Sequence, residues 1–276
     1  MTLSKRCFFG FLLFTLLSSS SIAQTVSPKT VSINGNILQA KLQVTSLIEI
    51  DLVVEFEKSI GLSANNIEIS ASLIDVNSSS VTNRFNVNDI TAIPSFPVLI
   101  SISPKANSGF GFEGLASVEI YTRSIDYNAA MPARLFRSHD NGNFEDITSM
   151  VSAGSIRARG NTGSFSDFMI LLDERSNVDM IDDTFSQLNQ VFNQHGDKVS
   201  LILATSIQAS INNLQQALLM ADFATALEVT ESLIFITENA TGDQMSNVWR
   251  SSDDVTNMQG ELLTRLKTLR FSLRVN

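Results

Sequence analysis

The segment Ile48-Glu49-Ile50-Asp51-Leu52-Val53-Val54-Glu55-Phe56-Glu57 puts Ile48, Ile50, Leu52, Val54 and Phe56 on one side of an extended chain and four carboxylates on the other. A period of two fits a half-buried strand and does not fit a helix. The acidic row, Glu49, Asp51, Glu55 and Glu57, reads as a solvated sheet face that also discourages edge-to-edge pairing. Similar runs recur at Ile37 to Val44, Ile67 to Val76, Phe96 to Ser103, Ala116 to Ser124, Ala133 to Ser138, Phe144 to Thr148, Ser155 to Arg159 and Phe165 to Leu172. Turn-forming residues separate most of them, and Pro94, Pro97, Pro104 and Pro132 fall at run edges, where a missing N–H is harmless.

Past Asp173-Glu174-Arg175-Ser176-Asn177 the period changes. No proline follows and apolar residues recur at steps of three and four. The spacing predicts helices over 179–195, 197–220 and 222–242, the first ended by Gly196 in the left-handed conformation and the third capped by Asp222. A fourth, long helix is expected from Asp243 towards Ser272, with Met245, Val248, Ser252, Val255, Met258, Leu262, Leu266, Leu269 and Leu273 as its seam and Trp249 beside it. The fold class expected is α+β, in two domains: an antiparallel β-sandwich over 24–175 and an antiparallel four-helix bundle over 178–276.

The start of the chain reads as a targeting signal. Lys5 and Arg6 precede an apolar run from Cys7 to Leu17, and Ser21-Ile22-Ala23 is a small-x-small cleavage site, so residues 1–23 are expected to leave by cleavage after Ala23. The run is shorter than the roughly 20 residues a spanning helix needs, and no later segment qualifies. The expected mature protein is secreted or periplasmic, with no transmembrane segment. It lacks cysteine, because Cys7 is the chain's single one, so neither a disulfide nor a thiolate nucleophile is open to it.

With 19 Lys and Arg against 28 Asp and Glu, a net charge of −9, the chain does not supply the clustered cations that nucleic acid demands. The two histidines, His139 near a turn and His195 at a helix end, could meet at a metal only if the two halves converge. Gly109-Phe110-Gly111-Phe112-Glu113-Gly114 has closely spaced glycines but no following helix, which excludes a dinucleotide loop and leaves a flexible loop with two apolar anchors.

In Ser138-His139-Asp140-Asn141-Gly142-Asn143-Phe144-Glu145-Asp146, the oxygens of Asp140, Asn141 and Asp146 form a calcium candidate. The simpler reading, which outweighs it, is a hairpin: Asn141-Gly142 is the strongest short type I′ turn signal. At the other end Arg265, Lys267, Arg270 and Arg274 follow with no acid after Glu261, suiting a helix C-terminus and offering a basic patch for an anionic surface. No catalytic signature is present and no cofactor is expected.

A resemblance adds to this. The string A-R-L-F-R-S-H-D-N-G-N-F-E-D-I-T from Ala133, with G-S-I-R-A-R-G-N-T-G-S-F-S-D-F-M-I-L-L-D ending at Asp173, resembles the closing strands of small sandwich modules in exported bacterial proteins. The whole mature chain resembles an uncharacterised family of secreted bacterial proteins, a domain of unknown function. Ala217 to Phe235 followed by a long last helix is similar to FIMAH-type helical modules, which accompany extracellular enzymes and adhesins. The resemblance implies export and architecture and transfers no functional residue. The function expected is an exported, non-catalytic interaction or scaffold module binding a protein or envelope polymer. The alternatives are a carboxylate-only hydrolase of glycosidase type and a calcium-stabilised adhesive domain.

Overall fold

The computed structural model describes residues 25–275 apart from 86, 88, 128, 129, 153, 166 and 253. The expected signal segment and its cleavage site at Ala23 lie outside the described residues. Two seven-stranded antiparallel sheets form. The first runs β1 (Thr25–Val26), β5 (Ile67–Leu73), β7 (Val98–Pro104), β13 (Asp167–Asp173), β9 (Ala133–Ser138), β10 (Phe144–Asp146), with β6 (Ile90–Ala92) also on β13. The second runs β11 (Thr148–Ser152), β12 (Gly154–Thr162), β8 (Gly111–Tyr127), β4 (Glu49–Ile60), β3 (Ile37–Gln43), β2 (Thr30–Asn34), with β14 (Val248–Arg250) on β8. Every period-two run named above overlaps one of these strands, except that Phe144 to Thr148 divides between β10 and the start of β11.

The alternation in β4 works as the sequence implies: Ile50, Leu52, Val54 and Phe56 are buried while Glu49 and Glu55 face out. Leu42 sits opposite Ile50, and Val54 opposite Val118. Leu52, Val54 and Ile120 from the second sheet and Ile69, Ile100 and Phe168 from the first join one hydrophobic cluster. A register shift between Phe56 and Lys58 marks a bulge. Close by, Gly114 has φ +71°, and any Cβ there would collide with the Glu57 carboxylate. Burial pushes the Glu57 carboxyl up, opposed by the Leu115 amide and the charge of Lys267.

A short helix, α1 (Ser79–Thr82), lies before β6. The remaining helices are α2 (Asn177–His195), α3 (Leu201–Leu219), α4 (Phe223–Glu238) and α5 (Met258–Arg274). Ser176 caps α2 by accepting from Asp179 N–H at 3.2 Å, and Asp222 caps α4 by accepting from Thr225 N–H at 3.1 Å. Ile181, Leu188, Ile211, Leu214, Leu233, Leu266 and Leu269 share a second core. The closest helix neighbours are α2 with α5, α5 with α4, and α4 with α3.

Four expectations are corrected. The long last helix is not continuous: the chain before Met258 forms β14, so the last helix, α5, begins only at Met258. Ser246-Asn247 and Ser251-Ser252 flank β14 with turn-forming residues, and Asn257 caps α5 by accepting from Gly260 N–H at 2.9 Å. Trp249 therefore leaves the helices and joins Phe110, Phe112 and Phe165, at 5.5 Å from Phe112 between ring centroids. Gly111–Gly114 is strand, not flexible loop, with Phe110 and Phe112 in the core. Gly196 is right-handed; the left-handed terminator follows α3 instead, at Ala221 (φ 52°), where Asp222 N–H bonds Ala217 O and Ala221 N–H bonds Leu218 O.

Helix α5 also packs on β8, β11 and β12, so it touches both cores. Its small residues make this possible. A Cβ on Gly260 would lie 2.7 Å from Gly114 O and 2.8 Å from Gly163 Cα. Buried Thr264 and Thr268 donate to the carbonyls of Gly260 and Thr264, at 2.7 and 3.0 Å, satisfying their hydroxyls inside the helix.

Candidate functional site: a polar cleft holding both histidines

A cleft of about 480 Å³ opens where four stretches meet: the β9–β10 hairpin, the β12–β13 loop, the C-terminal half of α2, and the chain from β14 into α5. Both histidines line it. The convergence that the sequence made a precondition therefore occurs, through packing of α2 and α5 against the sheets.

The hairpin is shaped by its turn. Asp140 (φ 47°) and Asn141 (φ 57°) are both left-handed, and Gly142 N–H donates to His139 O at 2.7 Å. The type I′ geometry is thus present one residue earlier than the Asn141-Gly142 reading, because Asp and Asn both tolerate that region. Arg84 pins the turn by donating to Gly142 O at 3.1 Å and Asp167 Oδ2 at 2.8 Å, with its guanidinium 4.5 Å over the Phe144 ring.

This geometry separates the calcium candidates. Asp140 and Asn141 sit exposed at the turn, the Asp140 side chain 81% so. Asp146 lies down the ladder opposite Phe136, and both its oxygens are engaged. Oδ2 accepts from Arg134 Nη1 at 2.7 Å, and Oδ1 accepts from Thr148 N–H at 2.8 Å. Among the described residues no group of three His, Cys, Asp or Glu side chains is placed to hold a metal ion.

The floor of the cleft is a four-member ion network. Arg137 donates from Nη1 to Glu261 Oε1 at 3.0 Å and from Nη2 to Glu261 Oε2 and Glu145 Oε2, both at 3.2 Å. Arg265 donates from Nη2 to Glu145 Oε2 at 2.7 Å and from Nη1 to Glu261 Oε2. Ser164 Oγ adds a bond to Glu261 Oε1 at 2.9 Å. Burial alone would push the Glu261 carboxyl up. The guanidiniums of Arg137 and Arg265 outweigh it and hold the carboxyl well below the usual carboxylate range. Burial likewise lowers Arg137, and Glu261 with Glu145 overcomes it, leaving the guanidinium more basic than usual.

Two charges of each sign cancel, yet donors are left over. Arg137 Nε, Arg265 Nε and Trp249 Nε1 are buried and have no hydrogen-bond partner among the described residues. All three belong to residues that line the cleft. Its rim is amide-rich, with Gln187, Gln190 and Gln194 on one face of α2 and Asn143 on the hairpin. The His139 Nδ1 lies 3.0 Å from the Phe165 carbonyl, which places its proton there and turns Nε2 towards Asp140 at 3.4 Å.

The cations of the basic C-terminal run all pair within the chain. Arg265 is buried in the network, Lys267 pairs with Glu238 at 2.7 Å, and Arg270 and Arg274 pair with Glu231 at 3.4 and 2.6 Å. What the sequence missed is the network itself, whose members lie on segments far apart along the chain. The one available signal was the polar run around Trp249, too rich in Ser and Asp for a helix interior.

Fold and cleft together define a mixed α+β protein whose sheets and helices meet at a charge-balanced depression with an amide-rich rim. The chain belongs to DUF6689, a family of unknown function, whose family model matches residues 11–276. Comparisons with curated proteins and with solved structures give no match.

Proposed function

We propose that the protein is an exported, non-catalytic interaction module, released by cleavage after Ala23, in which a β-sandwich and a helical bundle frame the cleft as a recognition site. The ligand class that fits is uncharged and rich in hydroxyl and carbonyl oxygens, such as a neutral oligosaccharide of an envelope polymer. One observation carries this reading: the charges on the cleft floor neutralise one another, while the rim presents the amides of Asn143, Gln190 and Gln194. A closed ion network has little to offer a charged ligand, whereas a rim of amides, each both donor and acceptor, suits a ligand that both accepts and donates.

The network also speaks against the carboxylate hydrolase. A general acid needs a raised pKa, and Glu261 is pushed the other way by two arginines. The test is a calorimetric and NMR titration with neutral oligosaccharides and with their uronic-acid counterparts. Binding of neutral chains, lost in Gln190→Ala with Gln194→Ala, is expected. Preference for the acidic chains, or hydrolysis of any of them, overturns the reading.

A further inference from the structure

From Leu201 to Ala221 the sequence contains no charged residue, in a chain whose net charge is −9. This stretch is α3, which packs closely on α4 through Ile207, Ile211, Leu214 and Ala217. Its opposite side carries Ile202, Thr205, Ala209, Asn212, Gln216 and Leu219, all exposed, at alternating steps of three and four. That spacing keeps six side chains in one straight stripe on a helix. Both ends of the stripe are apolar and stand well out of the surface, Ile202 at 87% exposure and Leu219 at 74%, with Leu201 and Met220 beside them. The middle is small or amide-bearing.

We infer that this stripe pairs with the same stripe of a second copy, antiparallel, about a twofold axis passing between Ala209 and Asn212. The pattern reads the same from either end. An antiparallel copy therefore sets Ile202 against Leu219 of its mate, Thr205 against Gln216, and Ala209 against Asn212, with each contact made twice as an isologous interface requires. The apolar residues at one end cover those at the other, and a small side chain faces an amide at the centre. Charge argues for a second copy as the occupant: two acidic chains repel across most of their surfaces, and α3 lets them approach without setting like charges face to face. The helix is roughly 28 Å long at about 1.5 Å per residue, which places such a contact near the small end of stable interfaces, roughly 1,200 Å². The dimer is accordingly reversible and concentration-dependent. This inference rests on α3 alone and is independent of what the cleft binds.

Sedimentation velocity of the whole chain over a wide micromolar range tests it. A monomer–dimer equilibrium is expected. Thr205→Glu with Gln216→Glu places like charges opposite one another twice and is expected to weaken the dimer by about tenfold or more. Thr205→Glu with Gln216→Lys places opposite charges there and retains it. All three substituents favour helix at exposed positions, and circular dichroism confirms that both variants fold. A chain monomeric at every concentration, a dimer indifferent to the double-Glu variant, or equal behaviour of the two variants overturns the proposal.

Discussion

In β4 the chain has an inside and an outside: Leu52 and Val54 enter the core while Glu49 and Glu55 meet water. In α5 there is hardly an outside. Leu266 and Leu269 face the helical core, Gly260 abuts Gly163, and Arg265 is buried in the ion network. Half-buried elements are held by apolar periodicity alone, whereas an element buried on both sides needs small residues and paired charge as well. The strand tolerates polar exchange on one face; the helix has few positions where exchange is free.

Breaking the ion network should show this difference most strongly. Glu261→Ala leaves Arg137 and Arg265 buried with Glu145 as their remaining carboxylate, and is expected to destabilise the protein by about 3–5 kcal/mol in urea unfolding. Glu55→Ala on the exposed face of β4 should stay within about 0.5 kcal/mol. Because the folded Glu261 carboxyl lies below its unfolded value, its contribution is fully present above the ordinary carboxylate pKa, about 4.3. It is lost as pH falls through and below that range. Wild type should therefore lose stability in acid more steeply than Glu261→Gln, as thermal melts across that interval would show.

A smaller effect tests the close approach of α5. A Cβ on Gly163 would lie 2.7 Å from Glu261 N and from Gly260 C, so Gly163→Ala is expected to cost about 1–3 kcal/mol and to speed amide exchange in α5. The smallest effect has the opposite sign. Ala221 holds a left-handed conformation that suits glycine, and Ala221→Gly should stabilise by about 0.5–1 kcal/mol, measured as a shift in the unfolding midpoint.

The sheet strands were legible because each long run alternates, and α2, α3 and α4 because apolar residues recur in each at steps of three and four. Strand β14 was not. Val248 happens to continue the three-and-four spacing of α5, and a strand of three residues is too short to declare a period of its own. The cleft was illegible for another reason. Arg137, Ser164, Gln190 and Glu261 acquire a common purpose only when α5 lies on β12, and no local spacing encodes that contact. His139 and His195 could be named beforehand, but not brought together.

Strand β14 has a consequence in time as well as in space. Trp249 caps the ring cluster of Phe56, Phe110, Phe112 and Phe165, yet it leaves the ribosome 84 residues after the last of them. Until it arrives, the end of β8 lacks its last neighbour and the phenylalanines lack a cover. Closing this part of the core is expected to come late in folding, since contacts this distant in sequence form slowly. A chain cut before Trp249 is then expected to be a substrate for chaperones and proteases, because its phenylalanine cluster stays uncovered.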